Sequence, residues 1–228
     1  LVLQGAQANQ LLVTARSEGG ERERTGVEVF LVDADQPGIH RRGYATVDGM
    51  RAADIQFDRV RVPPSARLGD AGTERNAEAI ETAIDEALVA SSAEAIGAME
   101  VLVHDTVEYS KTRRQFGQPI GKFQALQFRM VDMWLAHQRS LSALHMAAQR
   151  QAEGGAIAKR AASALKVTVT QASRFVGEQA IQIHGAIGTS DELRVGHYFR
   201  RLLCIEALFG SADHHLDRYA ALMAHAPT

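Results

Sequence analysis

Cysteine is nearly absent. The 228-residue chain holds one, Cys204, beside apolar Leu203 and Ile205, so no intrachain disulfide can staple the fold. Charge of one sign is lacking too: 25 Lys+Arg face 27 Asp+Glu, which gives no reason to expect nucleic acid or an anionic membrane as partner. No apolar run approaches the roughly 20 residues that span a bilayer. Leu1-Val2-Leu3-Gln4-Gly5 has neither the charged start nor the small-residue cleavage site of a signal peptide. A cytoplasmic location is the expectation. The apolar opening without an initiator Met reads as that of a fragment. No Ser-His-Asp or Cys-His order suggests a hydrolase, and Gly19-Gly20 lacks the strand and helix context of a dinucleotide fold. His214-His215 near Asp217 is not a metal site by this reading, because adjacent helical histidines point apart and no ligand set surrounds them.

What is present is an apolar fraction of 46%, enough for a sizeable core, and two regions of different period. Residues 1–70 read as β. The apolar run 11–15 and the near-alternating 27–32 flank a polar loop with Gly19-Gly20. Pro37-Gly38 and Asp48-Gly49 are turn signals, and alternation over 55–62 stops at Pro63-Pro64. From about 73 the period becomes helical: Ile80, Ile84, Leu88, Ala95, Met99, Val103 and Val107 form one stripe. Helices are expected at 73–112, 123–153, 156–184, 191–209 and 213–224, with Gly154-Gly155, Gly185 and Gly210-Ser211 as breaks. The fold class is therefore α+β, mainly α. A partial antiparallel β domain (1–70) precedes an antiparallel helical bundle (71–228).

Residues 109–124 carry the most information. A helix ends in the basic cluster Lys111, Arg113, Arg114. A turn with Gly117, Pro119 and Gly121 follows, and a new helix starts at Phe123-Gln124. Arginine at a helix C-terminus suits the helix dipole, and its guanidinium can equally pair phosphate oxygens. The string resembles the acyl-CoA dehydrogenase family, in which an Arg-x-x-Phe-Gly turn followed by Phe-Gln holds FAD. The resemblance implies that Arg113, Phe116, Phe123 and Gln124 bind FAD, reaching the flavin of a neighbouring subunit, and hence a homo- or hetero-tetramer. A second match is Gln182-Ile183-His184-Gly185-Ala186-Ile187-Gly188. By resemblance Gln182, Gly185 and Ala186 offer further hydrogen bonds to FAD, although Ala186 replaces a second glycine. Gly5, Ala8-Asn9, Ala15-Arg16-Ser17 and the exit through Val62-Pro63 and Leu68-Gly69 also match. Leu1 and Leu3 stand where many members have the Trp and Thr that flank the flavin ring.

The family reaction is α,β-dehydrogenation of an acyl-CoA. A carboxylate takes the α-proton, and the β-hydrogen leaves as hydride to the flavin. The usual Tyr-Glu-Gly-Thr is here Leu208-Phe209-Gly210-Ser211, so Phe209 occupies the base position, while Ser211 and Asp213 match the flavin-contacting turn. A minority of members place the base on the long helix, at a position that is Ala87 here. Neighbouring Glu86 and Asp85 are the carboxylates considered instead, and no residue is assigned as catalytic. The family arginine near CoA falls at Leu88. Three readings stay open: an FAD-dependent acyl-CoA dehydrogenase with its base elsewhere, a base-lacking partner in a heteromeric dehydrogenase, or a flavin oxidase or monooxygenase on the same fold. Residues 196–201 look like the bacterial branch that acts on steroid-type CoA thioesters. An electron-transfer flavoprotein is the implied acceptor.

Overall fold

β-Branched and aromatic residues cluster in short runs ahead of position 70, and in the computed structural model, which describes residues 1–21 and 23–224, they form six strands. One antiparallel sheet has the order β1 (Val2–Leu3), β5 (Arg51–Phe57), β4 (Ile39–Ala45); the other has β2 (Gln10–Arg16), β3 (Val27–Asp33), β6 (Arg67–Leu68). The β2–β3 hairpin pairs Gln10 with Asp33 through to Arg16 with Val27. Leu11 and Val32 are opposite each other in this register, and both are buried, which is the cross-strand unit that pins a half-buried sheet. Glu28 is buried on the same strand, with Arg67 at 3.2 Å and the Ser17 hydroxyl at 2.9 Å satisfying its carboxylate.

Two strands differ from expectation. Residues 39–45 carry no apolar alternation, yet they form β4 because every residue of it pairs with β5, from Ile39 and Phe57 to Ala45 and Arg51. The alternating run expected over 55–62 leaves the ladder after Phe57, since Arg59 takes φ +50° and turns the chain.

By contact, the chain divides into a unit of residues 1–83 and a second that begins at 84, a boundary inside the first long helix, α1 (Glu74–Thr112). A two-stranded turn, β7 (Arg114–Gln115) and β8 (Gln118–Pro119), leads to α2 (Gln124–Gln151), then α3 (Gly155–His184), α4 (Arg194–Ala207) and α5 (Ala212–Ala224). α3 packs against α2, α4 and α5 and buries residues along its whole length. Leu88, Met99, Leu102, Met133, Leu165, Val176 and Leu202 are at most 1% exposed; each such side chain contributes about 1.5–3 kcal/mol. By length and composition α1 could cross a membrane, but Leu88, Ala95 and Met99 of its stripe, with Leu102 beside them, lie in the bundle core. Ile84 of that stripe is 40% exposed. The expected helix at 191–209 starts only at Arg194, after a 3-10 turn over Gly185–Thr189.

Candidate functional site

The turn between α1 and α2 is built by backbone bonds. Arg113 N–H donates to the Tyr109 carbonyl at 2.9 Å, and the Arg113 carbonyl accepts from Ile120 N–H at 2.8 Å. At the tip, Phe116 and Gly117 both take left-handed conformations (φ +51° and +79°), and Arg114 bonds the Gly117 carbonyl at 2.9 Å. The Phe116 ring is thereby held 91% exposed, edge-on to the Phe123 ring with centroids 6.0 Å apart. Phe123 is half-buried and begins α2; Gln124, the first residue of that helix, is exposed. Among the described residues, the Arg113 side chain has no hydrogen-bond or ion-pair partner, and it is exposed.

The second motif is at the same end of the bundle. Tyr109, one turn before Arg113, stacks on His184 with ring centroids 4.3 Å apart, and its hydroxyl donates to the His184 carbonyl at 3.3 Å. The His184 Nδ1 lies 2.8 Å from the Ala180 carbonyl, which can only accept, so Nδ1 carries the proton. Gly185 ends α3 at φ +69°, with open space where a Cβ would lie. Gln182, Gly185 and Ala186 are all exposed there. Two segments seventy residues apart, joined by the Tyr109–His184 stack, thus each expose candidate groups: Arg113, Phe116 and Gln124 on one, Gln182 and the side-chain-free backbone of Gly185 on the other. That donor set suits an anionic, aromatic group such as a dinucleotide's diphosphate and rings.

Ser211 and Asp213 are elsewhere, at the α4–α5 turn. Phe209 (φ +59°) and Gly210 (φ +101°) reverse the chain. The Ser211 Oγ accepts the His214 N–H at 3.2 Å, which leaves its own proton available to donate. Exposed Asp213 sits in the first turn of α5, where the helix dipole favours an anion. A concavity of about 500 Å³ beside them is lined by Thr170, Arg174, Leu203, Glu206, Ser211 and Asp213. Arg174 pairs with Glu206 at 2.7 Å, and the other carboxylate oxygen of Glu206 is buried with no hydrogen-bond partner among the described residues. The buried Lys166 ammonium donates to the carbonyls of Ile205, Glu206 and Leu208 at 2.9, 3.1 and 2.8 Å. It closes the end of α4, and burial pulls its pKa down to about 8.

The two candidate carboxylates have different fates. Asp85 is buried, and both its oxygens accept from Arg218, at 2.6 and 2.7 Å, so it is committed to an ion pair inside the bundle. Glu86, the next residue, is exposed. Leu88 is fully buried in the core. In the other unit, Leu3 and Gly5 line a separate concavity of about 530 Å³ with Val2, Gln4, Leu11 and Leu12.

Periodicity and motif do not single out Ser163, Lys166, Thr170 and Arg174, which recur at helical spacing on α3: Ser163 meets His215 of α5, Lys166 the end of α4, and Thr170 and Arg174 the concavity. The signal in the sequence is a polar row at helical spacing on a helix otherwise rich in alanine and valine.

A family model described as the C-terminal domain of acyl-CoA dehydrogenase matches residues 77–224. The chain is 28% identical over 208 residues to a short-chain specific acyl-CoA dehydrogenase of Megasphaera elsdenii, covering 87% of this chain and 52% of that protein. The crystal structure of the ChsE4–ChsE5 complex from Mycobacterium tuberculosis superposes with a TM-score of 0.83 at 27% identity, over 98% of this chain and 58% of the other. The prolyl acyl carrier protein oxidase AnaB shares the fold, with a TM-score of 0.86 at 24% identity over 97% of this chain and 58% of that one. The chain spans about half the length of the curated relatives it matches.

Proposed function

The chain belongs to the acyl-CoA dehydrogenase family, and from that premise we propose that it is a flavin-supporting subunit of a heteromeric acyl-CoA dehydrogenase whose proton-abstracting carboxylate comes from a partner chain. The observation that carries this reading is the state of the carboxylates. Position 209, where the family has its base, is phenylalanine, and Asp85 has both oxygens on Arg218. Asp85 is only 3% exposed, so this carboxylate is engaged inside the bundle and not presented to a substrate. The likeness to a structure described as a complex of ChsE4 with ChsE5 supports an assembly of two different family chains.

FAD, when bound, supplies the acceptor for the hydride that leaves the substrate's β-carbon. The residues of this chain bind and orient it. Arg113 would pair with the diphosphate through its free fork of N–H donors, Phe116 and Phe123 would pack on the rings, and Gln124, Gln182 and the backbone at Gly185 and Ala186 would complete the hydrogen bonds. Ser211 would donate its hydroxyl proton to a flavin at the α4–α5 turn, with Asp213 beside it. Phe209 moves no proton; it presents an apolar face and excludes water. The substrate is an acyl-CoA thioester, the electron acceptor an electron-transfer flavoprotein, and the assembly a cytoplasmic tetramer.

Restoring the carboxylate tests this. In the full-length protein loaded with flavin, Phe209→Glu is expected to raise anaerobic flavin bleaching by an acyl-CoA at least tenfold over the parent, since a placed general base contributes about 10²–10⁴-fold. Rapid bleaching by the parent alone, unaffected by the substitution, would show that a base is already present and would refute the reading.

A further inference from the structure

We propose that Ser163, His215 and Arg218 are positioning residues: a one-way hydrogen-bond chain, anchored on Asp85, that holds the α4–α5 turn so that Phe209, Ser211 and Asp213 face the bound flavin. The last clause rests on the functional reading above; the holding of the turn does not.

The direction of the chain follows from chemistry at each link. The Phe209 carbonyl can only accept, and the His215 Nε2 lies 2.8 Å from it, so Nε2 carries the imidazole proton. His215 is 2% exposed and burial keeps its pKa low, so the ring is neutral and its Nδ1 is an acceptor. Nδ1 is 3.2 Å from the Ser163 hydroxyl, which must therefore donate to it. That leaves the Ser163 oxygen to accept from Arg218, at 3.3 Å. Arg218 in turn donates to both oxygens of Asp85. Each group has one assignment that satisfies its neighbours: the other imidazole tautomer would set the bare Nε2 against the Phe209 carbonyl, acceptor facing acceptor.

The chain ends on the carbonyl of a strained residue. Phe209 is left-handed (φ +59°), as is Gly210 after it, a conformation that bulky residues keep only when the surroundings impose it. Only glycine suits position 210: at φ +101°, a Cβ there would lie 2.9 Å from the His214 ring and 3.1 Å from the His215 Nε2. On the other side of the turn, Lys166, one helical turn along α3 from Ser163, grips the carbonyls of Ile205, Glu206 and Leu208. The turn is thus fixed from both sides by one face of α3, and the direction of the Phe209 side chain is set by α3 and α5 together.

The test uses hydrogen-exchange mass spectrometry on peptides covering 205–216, alongside FAD affinity by fluorescence, in the full-length protein. His215→Leu and Ser163→Ala are expected to speed exchange of the Leu208, His214 and His215 amides at least tenfold while leaving α2 unchanged. FAD binding should weaken at least fivefold. His215→Gln, which can return an N–H to the position of Nε2, should recover most of both effects. Unchanged exchange at the turn, a uniform rise through the whole bundle, or a His215→Gln variant as impaired as His215→Leu would each overturn the proposal. Should His215→Leu fail to fold, Ser163→Ala removes a single oxygen and decides the matter alone. If the parent binds no FAD, the flavin reading fails while the exchange result still decides whether the chain of bonds holds the turn.

Discussion

Arg113 and Arg114 are neighbours with opposite employment. Arg114 holds the turn through the Gly117 carbonyl, while Arg113 has no partner of its own among the described residues. Truncating each should therefore do different things. Arg113→Ala is expected to weaken FAD binding about 10- to 100-fold, the loss of one charge-assisted contact of roughly 1.5–3 kcal/mol, with unfolding free energy changed by less than about 0.5 kcal/mol. Flavin titration and urea denaturation on the same samples measure both. Arg113→Lys should recover only part of the affinity, because an ammonium cannot make the bidentate contact. The sequence distinguished Arg113 only through its resemblance to a motif. That its neighbour is consumed by the turn depends on the left-handed pair at Phe116 and Gly117, which no composition or period encodes.

At the scale of elements, the close approach of α3 to α4 depends on Gly177. A Cβ there would lie 2.2 Å from the Phe199 ring. Gly177→Ala would gain up to about 1 kcal/mol of helix propensity but overpack the contact by about 1–3 kcal/mol. A net loss is expected in chemical denaturation, reversed in sign when Phe199→Ala opens the space. The end of α4 depends on Lys166. Its folded pKa of about 8 lies below the ordinary lysine value of 10.5, so between those pH values the unfolded chain binds more protons than the folded one, and stability rises with pH through that window. The rise should be about 2 kcal/mol between pH 7 and 10 and should be missing from Lys166→Met, as urea midpoints at several pH values would show. The long helices were legible because thirty to forty residues sample a 3.6 period many times. Strand β4 was not, since its polar sequence becomes a strand only through pairing with β5, and the end of β5 is set by the backbone of Arg59.

On the scale of the whole molecule, the family relationship and the fold were readable from two motifs and a change of period. The fate of the carboxylates was not. Asp85 stands 133 residues from Arg218 in sequence, and only the packing of α1 and α5 on α3 turns a candidate base into a structural anchor. Under the proposed function, flavin is held by a chain that does not itself take the substrate proton. The direct measurement is the absorption spectrum of the full-length protein, purified alone and with a second family subunit, before and after anaerobic addition of an acyl-CoA. The account predicts flavin absorption in the paired preparation that bleaches on addition of substrate, and no bleaching by the protein alone. Absence of flavin from both preparations, or full bleaching by the protein alone, would contradict it.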